Sequence, residues 1–524
     1  MAVIKKNEII APFLGAKLNF IAGQDPMGML NIGEQIFSML LPGLNNVTAR
    51  IRYYSFYCWF FGWYAKSVGS ENPNEQRKYL RRAEYLLALV AAKNNIDGIP
   101  GITEAQKNYN DDINEFSLLE GTGELKGTTE ETYWKNPRGV FGQNYVSSLR
   151  QIGVIRDKGE DTGLFIRTAF DKDDVVTGKD LEDAFNLNLD LNATNLFSKA
   201  VISGNITQIE LVDLSSNFNM IKVPLGSKEN HLLIEMLLGA DHPISDSESY
   251  FRRTTIKLYL NLLKDDNSMV SVQDFANFSY YQQGLIKNVQ DDTLMAWYYY
   301  QLSQYWHIVS TSCLKTLLDI LQQKCDSGWY VESNLVNEIS KDLVEYLSKE
   351  NYTKKSSKFN ALSVLKDDNV IITNKIHSCN NIESLSYSFL LLKKLMNDNS
   401  LTIQKQLRFA QKHKLNSSSD FIAVYLDLEK NANRPIGDFI SYFLKKYIIN
   451  RHQLVALNKM NATQSTEKFI REDGLIRLVD SIHFGFSSPR LGNLIEFLKD
   501  LNIISDDKTE ITKMGTKVHK KINA

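Results

Sequence analysis

Tyr53-Tyr54-Ser55-Phe56-Tyr57-Cys58-Trp59-Phe60-Phe61-Gly62-Trp63-Tyr64 is a run in which nearly every side chain is an aromatic ring. Rings on all sides of one helix leave no polar face for water, so this helix is expected to be buried all round. Its uninterrupted apolar part is shorter than the roughly 20 residues of a membrane span, which favours a core helix. A cage of stacked rings around a ligand is the alternative use of the same residues. Arg50 and Arg52 precede the run, and Pro42-Gly43 and Asn45-Asn46 mark the turn that leads in. Working outward, a long helix at 293–324 repeats the theme with Trp297, Tyr298, Tyr299, Tyr300, Tyr305 and Trp306. The predicted class is mainly α (α+β): a helical scaffold with two small units that carry β-hairpins.

At 524 residues the chain is long enough for several domains of about 100–200 residues each. Its 43% apolar and 23% charged content is that of an ordinary soluble protein. A net charge of −1 gives no global pull toward nucleic acid or membrane, so a nucleic-acid site must be a local patch. Cys58, Cys313, Cys325 and Cys379 are far apart and never spaced as C-x-x-C. That pattern argues for a reducing compartment and against a disulfide framework or zinc ribbon. No apolar core of signal-peptide length follows the N-terminal Met-Ala-Val-Ile-Lys-Lys, and no apolar run reaches membrane-span length. The expected location is the cytoplasm, with no membrane partner. Plentiful Asn, Lys and Ile and scarce Pro suit an AT-rich bacterial genome.

Along the chain, four segments are expected. Residues 1–110 form an aromatic-rich helical domain. Asp25-Pro26 and Asn72-Pro73 each pair an N-cap with proline at the first helical position, opening helices to about Leu41 and Lys93. Residues 94–112 read as a linker. Within 111–190, Phe141, Tyr145, Leu149 and Ile152 make one apolar stripe of a helix that Gly153 ends. Val154-Ile155-Arg156 and Leu164-Phe165-Ile166-Arg167 then flank a hairpin loop, and another helix starts near Thr177-Gly178. Residues 191–434 are a helical domain, with 354–375 read as a loop and a small strand pair. Residues 435–524 hold a helix from Pro435 and a hairpin around Asp473-Gly474. A helix from Ser488-Pro489 follows, with Leu491, Leu494, Leu498 and Leu501 as its stripe, then a hairpin over 503–512 and a last short helix.

The two hairpin-bearing units can be laid on one another. Tyr145, Leu149, Ile152, Gly153, Val154 and Ile155 match Leu494, Leu498, Leu501, Asn502, Ile503 and Ile504. Each continues into a hairpin and a further helix. Helix, tight turn and hairpin in this order resemble the winged helix-turn-helix family, at about 137–185 and 465–524. The resemblance implies a second helix that enters the DNA major groove and a wing that touches the backbone; many modules of that family bind only protein. The chain as a whole resembles cytoplasmic proteins of bacterial defence operons, which implies a role in antiphage defence.

On the first unit, Gln143, Asn144, Ser147, Arg150 and Gln151 lie off the apolar stripe, with no acidic residue among them. Asn and Gln can read adenine, and Arg can read guanine or hold phosphate. The wing adds Arg156, Lys158 and Arg167. Arg77 and Arg81, with Lys78 and Arg82, form a basic strip at helical spacing and a second candidate phosphate contact. The second unit offers Arg490, Asn493 and Lys499, but Glu496 and Asp500 lie among them and repel phosphate.

Signals for catalysis are poor. The eight histidines lack metal-binding spacing, the glycines at 121–127 lack phosphate-loop spacing, and no G-x-S-x-G occurs. Asp427-Leu428-Glu429-Lys430 reads as a solvated helix face, and Arg408…His413 has the R-x-x-x-x-H spacing of HEPN-type ribonucleases, which arises readily by chance. No catalytic residue, metal or cofactor is assigned. The expected function is a non-enzymatic DNA-binding or scaffold subunit of a bacterial multi-protein system, with double-stranded DNA and protein as partners. The alternatives are a nuclease and a protein–protein adaptor without nucleic-acid contact.

Overall fold

The computed structural model describes residues 19–523 apart from 24, 49, 126–132, 161, 170–175, 240–248, 267–269, 282–291, 326–327, 416–418, 462 and 488–489. Expectations for residues 1–18, for the start of a helix at Ser488-Pro489 and for part of the glycine-bearing stretch 121–127 lie outside the described residues. The protein is mainly α, with sheets of only two or three strands. Contacts divide it into two compact units, Met1–Ile36 with Ala276–Ser487, and Phe37–Phe275 with Ser488–Ala524. Each unit is discontinuous in sequence, and its cuts differ from the boundaries at 110, 190 and 434 expected above. Punctuation in a sequence marks loops, whereas these cuts depend on which distant segments pack together.

The unit Phe37–Phe275 with Ser488–Ala524 is built around the aromatic helix Arg52–Ser67, buried without interruption from Arg52 to Tyr64. Its rings meet other rings on every side. Trp59 sits 4.9 Å from Phe197, Phe61 5.2 Å from Phe141, and Tyr54 5.7 Å from Phe497, all edge to face. The polar tips are satisfied inside: Trp59 Nε1 donates to Asn186 Oδ1 (3.1 Å), Trp63 Nε1 to Ser198 Oγ (2.7 Å) and the Tyr54 hydroxyl to the Gly43 carbonyl (2.6 Å). The rings are thus filled by the protein's own side chains, which leaves no cage. At the start of the helix, Arg52 is buried against Glu229 (3.2 Å), which also accepts from Ser55 Oγ (2.5 Å) and Asn188 Nδ2 (2.6 Å). Asn72 caps the next helix, Pro73–Lys93. The expected linker 94–112 instead holds the helix Ile102–Asn108. Only Ala105 of it is buried, so it shows no apolar period to read.

The unit Met1–Ile36 with Ala276–Ser487 centres on the long helix Asp292–Lys324, whose aromatic half is wholly buried. The helix Asn381–Asn399 packs along it, and Glu332–Lys349 and Asn369–Ser378 pack on that helix in turn. The Asp473-Gly474 turn joins Phe469–Glu472 to Leu475–Leu478, both central residues having positive φ (47° and 79°), as the tight hairpin turn requires. Tyr330–Val331 adds a third strand too short to show a pattern. The loop and strand pair expected at 354–375 is corrected: the segment forms a short turn at Phe359–Ala361 and starts the helix Asn369–Ser378. The β-branched run Val370-Ile371-Ile372-Thr373 favours a strand locally, but Asp368 caps its first turn and packing decides the outcome. No helix among the described residues is long and apolar enough to cross a membrane.

Candidate nucleic-acid interface

The first hairpin-bearing unit begins where a buried carboxyl group meets a helix start. Glu84, from the helix Pro73–Lys93, accepts from the Val140 and Phe141 amides (2.8 and 2.7 Å) and from the Tyr57 hydroxyl (3.0 Å). These amides open a π-turn, Phe141–Tyr145, which runs on as the helix Val146–Ile152. The apolar stripe faces inward as predicted, with Phe141, Tyr145 and Leu149 fully buried. Gly153 is left-handed (φ 86°) and ends the helix. Ile155–Asp157 then pairs with Phe165–Arg167, and Thr177 caps the helix Gly178–Asn186.

The second unit repeats this construction to the level of single hydrogen bonds. The Val154 amide donates to Leu149 O (3.1 Å), and the Ile503 amide to Leu498 O (2.8 Å). The Thr168 amide donates to Val154 O (3.0 Å), and the Thr512 amide to Ile503 O (3.1 Å). Each threonine hydroxyl donates to the left-handed residue, Thr168 to Gly153 O and Thr512 to Asn502 O. It also accepts from a glycine amide at 3.0 Å, Gly178 and Gly515 respectively. Neither glycine has room for a side chain, because a Cβ would collide with the Val154 or Ile503 carbonyl. Gly178→Ala and Gly515→Ala are each expected to cost about 1–3 kcal/mol by overpacking, read from thermal denaturation of each variant beside the parent.

Both repeats grip one turn. Asn45 Nδ2 donates to Asn144 O (2.5 Å), and Asn493 Nδ2 donates to Asn45 O (2.6 Å). Asn144 and Asn493 occupy matched positions, as do Gln151 and Asp500. Gln151 Oε1 accepts from the Gly43 amide (2.8 Å), and Asp500 pairs with Arg50 (3.0 Å). The Tyr54 ring lies edge to face between Tyr145 and Phe497. The segment 43–54 is thus held from two sides by the two helices expected to read DNA.

That arrangement changes the standing of the candidate residues. Asn493 spends its amide on Asn45, and Asn144 is half-buried beside the same turn. Arg490, also half-buried, begins the second helix. Gln143, Ser147, Arg150, Arg156 and Lys158 are exposed. Three of the candidate cations meet carboxylates that the helix pattern does not show: Arg150 pairs with Asp157, Lys158 with Glu71, and Arg167 with the buried Glu182, which also takes Lys66. The basic strip divides too. Arg82 turns inward onto Glu124 and the carbonyls of Val201 and Ile202, Arg81 is half-buried, and Arg77 lies by Asn74. In the second hairpin Lys508 pairs with Glu496, and Glu496 also holds Lys499.

Burial pushes the Glu84 carboxyl up to about 8, against the pull of the Phe141 and Val140 amides and Tyr57. A carboxyl with a raised folded pKa keeps its proton where the unfolded chain has lost it. Its contribution is therefore fully present below the unfolded value of about 4.3 and is lost as pH rises toward about 8. Parent stability should fall across that window by up to about 1.4 kcal/mol per pH unit relative to Glu84→Gln. Denaturant titrations of both proteins at several pH values check this; parallel curves would contradict it.

The other half of the protein offers little chemistry. His413 is held by Asp292 (3.2 Å) and its ring lies tilted against Phe409, whereas Arg408 is exposed. Five residues of helix separate their directions by roughly 140°. The Asp427 carboxylate, half-buried on a face where Glu429 and Lys430 are exposed, is engaged by Tyr442, Tyr447 and Lys446; burial works upward, but these donors outweigh it and bring the group to about 2. No group of three His, Cys, Asp or Glu among the described residues could hold a metal ion. No protein-family model, curated protein or solved structure matches the chain.

Proposed function

We propose that the chain is a non-enzymatic scaffold subunit of a bacterial multi-protein system, with antiphage defence as its setting. Its two repeats are winged-helix-like modules joined back to back by the turn at Asn45. One observation carries this reading: at matched positions the backbone carbonyl of Asn144 and the side-chain amide of Asn493 both bond Asn45 of that turn, so the same end of each helix is engaged in internal assembly. The exposed face of the first repeat, Gln143, Ser147, Arg150, Arg156 and Lys158, mixes polar groups with charges of which Arg150 and Lys158 are paired with carboxylates. Such a surface suits a protein partner better than a phosphate backbone, which needs uncompensated cations.

The test is co-expression with the products of adjacent genes, followed by size-exclusion chromatography. A stable complex is expected, and Arg156→Glu with Lys158→Glu should dissolve it while the melting temperature of the lone subunit stays unchanged. A complex indifferent to those substitutions would place the partner elsewhere. The observation favouring direct DNA contact is that Arg150, Arg156 and Lys158 share one small unit and are exposed. Loss of duplex affinity on replacing them would make that reading the better one.

A further inference from the structure

The last helix, Lys513–Asn523, carries Lys513, Lys517, Lys520 and Lys521 and no acidic residue. It packs on the helix Ser249–Asp266, where His519 Nε2 meets Asn261 Oδ1 at 2.7 Å. Between them lies a concave groove of about 650 Å³ with Lys264, Lys520 and His519 on its walls, Leu263 and Ile511 as apolar lining, and Glu510 at its hairpin side. Among the described residues, Lys257, Lys264, Lys513, Lys517 and Lys520 form no ion pair within 4.0 Å, in contrast to the cations of the first repeat. Lys521 is the lysine of that helix that does, with Glu235 at 3.7 Å. The charges of the two helices converge: burial first, then Lys264 and Lys257, hold the His519 imidazole below its usual value, opposed by Asp265.

We infer that this groove binds the phosphate backbone of duplex nucleic acid without reading its sequence. Unpaired lysines on both walls attract a polyanion, and neutralising phosphates releases condensed counterions. Single strands are held by aromatic platforms on which successive bases stack, and no Phe, Tyr or Trp is among the described residues that line this groove. The inference is independent of the scaffold reading, because it uses neither Asn45 nor the face of the first repeat.

The experiment is a fluorescence-anisotropy titration of the full chain with a mixed-sequence DNA duplex at salt concentrations between about 50 and 200 mM. Binding should weaken as salt rises. Lys264→Ala and Lys520→Ala should each flatten the log–log salt slope by about one unit, with restoration by Lys264→Arg and Lys520→Arg. Glu510→Gln should tighten binding by removing a repelling carboxylate. All four lysine variants alter exposed side chains, and unchanged melting curves show that each is folded. No duplex binding at low salt, lysine-to-alanine variants that bind like the parent, or attachment to vesicles of anionic phospholipid without duplex binding would each overturn the inference.

Discussion

Trp59→Ala is expected to lower stability by about 3–5 kcal/mol, the scale for emptying the site of a buried large aromatic. Trp59 is only 3% exposed and contacts Phe185, Phe197 and Phe218, which come from three separate segments. These rings sit on different backbones and cannot all move into the space, so the cavity persists and its surface loses dispersion contacts. The indole also leaves Asn186 Oδ1 without its donor. The midpoint of chemical denaturation reads the effect. A variant as stable as the parent that had lost a ligand would overturn the core assignment of the helix and restore the cage.

Glu229→Ala should be comparably severe, about 3–5 kcal/mol, for an electrostatic reason. Glu229 is fully buried, and its carboxylate neutralises Arg52, itself 2% exposed. Removing the acid leaves a guanidinium inside the protein with the Asn219 carbonyl (2.5 Å) and the Phe185 ring (5.0 Å) as its remaining partners. Ser55 and Asn188 lose an acceptor as well. Arg52→Met combined with Glu229→Leu should be much milder than the single substitution, since an apolar pair leaves no unpaired charge. Equal losses for the single and double variants, measured by denaturation, would show that packing and not charge holds this site.

These sites differ in how far the sequence announces them. The aromatic helix is legible because its residues are nearly unanimous and no register change alters its burial. The two repeats are legible from their apolar stripes and from the residue that ends each helix, Gly153 or Asn502. Their deeper match is hidden by spacing: Thr168 and Gly178 stand ten residues apart, Thr512 and Gly515 only three. Pairing of Glu71 with Lys158 and of Glu182 with Arg167 depends on contacts across 87 and 15 residues, so a helix face read alone overstates the free positive charge. Asn45 marks a turn in the sequence, yet nothing local says that both repeats close on it. The lysines of the last helix are plain to see, but their groove needs Lys264 and His519, brought together from 255 residues apart.

The most direct test of the scaffold account is a duplex-DNA titration of the triple variant Arg150→Ala, Arg156→Ala, Lys158→Ala beside the parent, repeated over a range of salt concentrations. If the face of the first repeat docks protein, the triple variant and the parent give the same affinity and the same salt dependence. If that face holds DNA, each lost cation removes about one phosphate contact, and the slope falls by about three units in all. That result would contradict the account.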